Sequence, residues 1–117
     1  MKANVICETA AKLVSADGDR AKAHGDKYHT HAAIADLWSA YLGCLVTPTD
    51  VALMMIMLKI VRAKAGQPNV DDFVDMAGYA GCAGEVMEAE YGEPDGGSYA
   101  SNVQEAVARA KAFYAKK

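Results

Sequence analysis

The chain has 117 residues, 52% hydrophobic and 23% charged, with a formal net charge of -3. That length and balance describe one globular domain over residues 1–117 rather than a disordered chain. The slight negative charge supplies no field to draw duplex DNA or an anionic membrane.

Cys7, Cys44 and Cys82 are odd in number, far apart and form no CxxC pair, so no disulfide framework or zinc site is expected. The beginning of the chain carries Lys2, Glu8 and Lys12 instead of a signal peptide's apolar run. The most apolar stretch, residues 51–61, contains Lys59 and is too short to span a bilayer. The expected compartment is therefore a reducing cytoplasm.

Residues 3–14 read as a first helix, with Val5, Ile6, Ala10, Leu13 and Val14 as its apolar positions. Asp17-Gly18 breaks it. Residues 20–30 read as an ordered loop holding Arg20, His24, Tyr28 and His29, with His31 just beyond. A second helix is expected over residues 30–42, where Ile34, Leu37, Trp38 and Tyr41 fall at helical spacing and Gly43 is the stop.

The third helix has the clearest start. Thr47-Pro48-Thr49-Asp50 sets a threonine at the N-cap, proline at the first position and an acid at the third. It continues to about residue 62 and is apolar nearly all round, so it is expected to be the most buried helix. Gly66-Gln67-Pro68-Asn69 then turns the chain, with Asn69 as the next N-cap and Asp71 and Asp72 favoured by the helix dipole. A fourth helix runs to about residue 91. The short connection makes the third and fourth helices an antiparallel hairpin.

Glycines 78, 81 and 84 recur on the fourth helix. Each costs about 1 kcal/mol of helix propensity, which implies close approach by another helix or a ligand. Ser101 with Gln104 suggests a cap for a last helix reaching about residue 114. That helix is lightly apolar, and with the glycine stripe it points to a homo-oligomer. The fold class is thus all-α, a bundle of about five helices around a central antiparallel hairpin. There is no strand signal, phosphate-binding glycine loop or nucleophile elbow.

Three groups could carry chemistry. Asp72, Asp75 and Tyr79 share one face of the fourth helix. Two carboxylates so placed can hold a divalent cation; in the blander reading Asp72 only complements the helix dipole. Lys59 and Arg62 interrupt the third helix, where they either receive a phosphate or neutralise those acids as an ion-pair network. The loop residues Arg20, His24, Tyr28 and His31, with Trp38 beyond, are materials for stacking a base and binding a phosphate. For His24 and His29 the bland reading is a solvated loop.

Three separated blocks also carry a resemblance. They are Gly18-Asp19-Arg20…His24-Gly25-Asp26…His31…Leu37-Trp38, then Thr47-Pro48-Thr49-Asp50-Val51-Ala52…Lys59…Arg62, then Asp72…Asp75-Met76-Ala77-Gly78-Tyr79. Over residues 13–88 the chain resembles a family of small uncharacterised tailed-phage and prophage proteins. More remotely, the last block resembles the all-α nucleotide pyrophosphohydrolases of MazG type. That resemblance implies a helical bundle assembling as dimers or tetramers. It also implies Mg²⁺-dependent release of pyrophosphate from nucleoside triphosphates, with Asp72 and Asp75 as metal ligands.

The chain departs from that pattern on its earlier helix, where no glutamate cluster occurs and only Asp36 and Asp50 stand as substitutes. Three functions follow as expectations. The first is a non-catalytic binder of a nucleotide-like small molecule, without a cofactor, such as a phage sponge for a host immune second messenger. The second is the pyrophosphohydrolase, which would require Mg²⁺. The third is an interaction protein that docks a host protein on its glycine-lined helix.

Overall fold

In this computed structural model the described residues are 1–15, 27–92 and 100–115. Arg20 and His24 lie outside them. Among the described residues the chain is all-helical. Its helices are α1 (Ala3–Val14), α2 (Lys27–Leu42), α3 (Pro48–Ala65), α4 (Val70–Gly92) and α5 (Val103–Ala115).

Helix boundaries follow local chemistry. At α3 the Thr47 hydroxyl accepts from the Asp50 N–H at 3.1 Å, and the Asp50 carboxylate accepts from the Thr47 N–H at 3.0 Å. Two of the helix's orphan donors are thereby satisfied reciprocally. Asn69 caps α4 by accepting from the Asp71 N–H at 3.0 Å. Gly43 ends α2 at φ 73°, donating its N–H to the Ser39 carbonyl at 2.9 Å. A side chain there would be strained.

Two boundaries differ from the sequence reading. α2 begins at Lys27, so Tyr28 and His29 are helical and not in a loop. Nothing between Asp26 and His31 breaks a helix, and the His31 ring closes the first turn on the Lys27 carbonyl. The last helix is capped one residue later than Ser101. Asn102 accepts from the Glu105 N–H at 2.8 Å, and Glu105 reaches back to Ser101.

α3 and α4 form the antiparallel hairpin and have the most extensive contact in the chain. α2 crosses α3, α1 lies on α4, and α5 lies on α2. The core between α2 and α3 is Ala35, Val46 and Val51, packed by Ile34, Trp38 and Met54. Buried Ser39 clasps the α2–α3 connection. Its hydroxyl accepts from the Val46 N–H at 2.7 Å and donates to the Val46 carbonyl at 3.1 Å. Buried Asp36 ties α2 to α5 through Arg109 at 3.0 Å.

α3 is not the most buried helix. Only Pro48, Val51 and Ala52 are buried along it, while Leu53, Met57, Leu58, Ile60 and Val61 are exposed. The reason is that the buried residues are mostly alanines and valines. Such small residues draw helices close together, and among the described residues no helix covers the hairpin's second side. The radius of gyration, 15.4 Å, accordingly exceeds the roughly 13 Å of a compact chain this long.

Candidate functional site

The hairpin brings together five of the residues singled out in the sequence. Lys59 and Arg62 are one turn apart on α3, and Asp72, Asp75 and Tyr79 follow one face of α4. Because the helices run antiparallel, the residues meet in reverse order. Lys59 Nζ lies 3.0 Å from Asp75 Oδ2, and Arg62 Nε lies 3.6 Å from Asp72 Oδ1. The two pairs form a charged seam near the turn that joins the two helices.

The pairs differ in exposure. Lys59 is largely covered and Asp75 half-buried, so this pair is held in a partly desolvated setting. Asp72 is buried, yet the Arg62 side chain is 60% exposed. Arg62 is thus ion-paired with Asp72 through Nε while most of its side chain faces solvent.

Asp75 and Tyr79 also line a cleft of about 50 Å³ with Ala10, Leu13, Val14 and Cys82. This space lies between α1 and α4, not between α3 and α4. The α3–α4 seam is closed by its ion pairs, whereas the missing side chain of Gly78 lets α1 come close. A Cβ on Gly78 would sit 3.3 Å from Val14 Cγ1. Gly81 and Gly84, in contrast, face open space. The expectation of close approach therefore holds for one glycine of the three within this chain. A cleft this size holds a water or two, well short of the roughly 300–1,000 Å³ of a ligand pocket.

The other candidates lie elsewhere. Trp38 packs on the α2–α3 core. His31 Nδ1 donates to the Lys27 carbonyl at 2.7 Å; a carbonyl only accepts, so that nitrogen carries the proton. Tyr28 stacks edge-on against His29, with ring centroids 5.8 Å apart. The start of α2 docks on α4 at Glu85, where Lys27 approaches to 3.7 Å. Glu85 is ten residues, about 15 Å, along α4 from Asp75. Tyr28 and His31 therefore belong to another level of the bundle than the seam.

Among the described residues no group of three or more His, Cys, Asp or Glu could hold a metal ion. Asp72 and Asp75 are each engaged by a cation. The two substitute acids serve structure: Asp36 binds Arg109, and Asp50 completes the α3 cap. Among the described residues a Mg²⁺ ion would thus find only the two cation-paired carboxylates Asp72 and Asp75, fewer than the acidic set the pyrophosphohydrolase pattern implies. Sequence reasoning missed α1 as a wall of the site, although Gly78 was the signal that something approached α4.

Known proteins place this arrangement in a lineage. Residues 5–87 match the family model described as "Domain of unknown function (DUF6378)", and the chain belongs to that family. It is 47% identical over 77 residues to the Gene 55 protein of Mycobacterium phage L5, covering 65% of this chain and 48% of that protein. It is 41% identical over 90 residues to the Gene 55 protein of Mycobacterium phage D29, covering 76% of this chain and 58% of that one. The chain thus spans about half the length of these curated phage relatives. No solved structure matches it. The matched residues include most of α1, most of the hairpin and the whole seam. Among the described residues no helix is long and apolar enough to cross a membrane.

Proposed function

We propose that the chain binds a phosphate-bearing, nucleotide-derived small molecule at the hairpin seam and releases it unchanged. The observation that carries this reading is Arg62. It holds a buried carboxylate through one nitrogen at 3.6 Å while its side chain stays 60% exposed. A guanidinium so placed keeps donors for a phosphate and can bind it in bidentate fashion. Lys59 adds a second positive charge one turn away, and Tyr79 offers an aromatic ring at the rim of the cleft. Pairing of both acids by cations favours anion binding over metal-dependent cleavage.

The phage relatives support a phage setting for this activity. There, in the bacterial host cytosol, such a binder would act as an anti-defence sponge that withdraws a host immune second messenger. The alternative is a Mg²⁺-dependent pyrophosphohydrolase of MazG type. Its support is the Asp72–Asp75 spacing on one face of α4.

A thermal-shift panel of cyclic nucleotides, ADP-ribose-type ligands and deoxynucleoside triphosphates, with and without Mg²⁺, tests both readings. Stabilisation by one ligand, its recovery intact and loss of the effect in Arg62→Ala are expected. Silence across the panel overturns the binder. Pyrophosphate release that needs Mg²⁺ or Mn²⁺ and disappears in Asp75→Ala replaces it with the hydrolase.

A further inference from the structure

The hairpin has two sides, and among the described residues helices cover only one. On α4, Val74 and Gly78 meet α1. On α3, Val51 and Met54 meet α2. Helix geometry puts both sets on the same side of the hairpin. The other side is bare and apolar. On α4 it carries Phe73, Ala77, Ala80, Gly84, Met87 and Tyr91, at successive spacings of four and three. On α3 it carries Leu53, Met57 and Ile60 at the same spacing. A four-three repeat is the pattern of a helix that packs along another helix. Phe73 is 53% exposed, Met57 58% and Tyr91 83%.

We propose that this face is the interface of a twofold dimer, in which the hairpins of two copies stack as a four-helix bundle. The occupant follows from self-complementarity. A twofold axis at the level of residue 82 sets α4 antiparallel to its copy. Phe73 then falls at the level of the partner's Tyr91, Ala77 at the partner's Met87, and Ala80 at the partner's Gly84. Large residues meet at the ends, a methionine meets an alanine, and the smallest residues meet at the axis. This last pairing gives the open side of Gly84 a use that no described residue supplies.

The hairpin's own register supplies a second agreement. Lys59 pairs with Asp75, and Thr49 pairs with Glu90. These contacts put residue 82 level with about residue 55 on α3. The same axis therefore sets Leu53 against the partner's Met57, while Ile60 falls at the margin of the face, level with the partner's Asp50, so one operation pairs the α4 stripe and the centre of the α3 stripe with their own copies. The exposed apolar side chains of this face amount to on the order of 750 Å² per copy. That is close to the share each partner contributes to a standard-size interface.

Sedimentation equilibrium of the full chain tests the proposal over roughly 1–100 µM, since interfaces of this size dissociate at micromolar concentrations or below. The expected mass is twice 12.4 kDa. Ala80→Glu sets two carboxylates at the axis and Met57→Glu sets one in each α3 stripe. Each is expected to raise the dissociation constant at least about tenfold, or roughly 1.4 kcal/mol, with an unchanged helical circular-dichroism spectrum. Both positions lie outside the core, and either variant suffices if the other folds poorly. A monomer throughout the range overturns the proposal and leaves the face to a different polypeptide. A dimer unmoved by both substitutions overturns it as well. Arg62 points away from this face, so the ligand assay is read separately.

Discussion

Glu90 ties the last turns of α4 to the first turn of α3. It is buried in the last turns of α4, and its Oε1 accepts from the Thr49 N–H at 2.7 Å and from the Thr49 hydroxyl at 2.9 Å. It thereby closes the end of the hairpin and sets a negative charge at the positive end of the α3 dipole. In Glu90→Ala both bonds disappear, and the Thr49 N–H becomes a first-turn donor without its partner. Bonds to a charged group contribute about 1.5–3 kcal/mol each. Water reaching half-buried Thr49 restores part of that, so a net loss of about 2–4 kcal/mol is expected. For a chain this size the melting temperature should fall by about 8–15 °C. Glu90→Gln keeps an acceptor and should lose only about 1 kcal/mol. Urea unfolding followed through Trp38, the chain's single tryptophan, measures both. A Glu90→Ala variant within about 0.5 kcal/mol of the parent, the range of an ordinary surface change, would refute the reasoning.

Two further outcomes are expected. Gly81→Ala should stabilise by about 0.5–1 kcal/mol, because its Cβ meets open space; Gly78→Ala should gain less or lose, because its Cβ crowds Val14. Denaturant midpoints in the reverse order would contradict the packing of α1 on α4. The Ser101 hydroxyl and then its backbone N–H hold the Glu105 carboxyl below its ordinary value of 4.5. A depressed carboxyl stabilises the fold above that ordinary value and loses the contribution as pH falls through the depressed one. Ser101→Ala should therefore melt below the parent at neutral pH and converge with it in acid. A difference that persists at low pH would show that Ser101 acts by another route.

Much of the local structure is legible from short stretches of chain. Thr47 to Asp50, Asn69 and Gly43 set helix ends through atoms within four residues of one another, so residue type and spacing suffice to locate them. The hairpin follows from its short turn, and with it the meeting of Lys59 and Arg62 with Asp72 and Asp75. The pairing itself needed the fold, since spacing alone left a phosphate site and an ion-pair network equally open. Glu90 with Thr49, Asp36 with Arg109, and Ser39 with Val46 join residues that no local pattern connects.

Burial shows the same division most clearly. The apolar run from Val51 to Val61 determines by itself that α3 is a helix with every side available for packing. It does not determine which sides the chain covers, because that depends on how many other helices there are and how thick their side chains make the layers. The fold places α1 and α2 on one side of the hairpin and leaves Leu53, Met57 and Phe73 bare on the other. The sequence alone specified the helices, their caps and the charges on the hairpin. The tertiary structure decided which charges neutralise one another and which apolar face remains bare, because both depend on distances between elements and not on spacing within them.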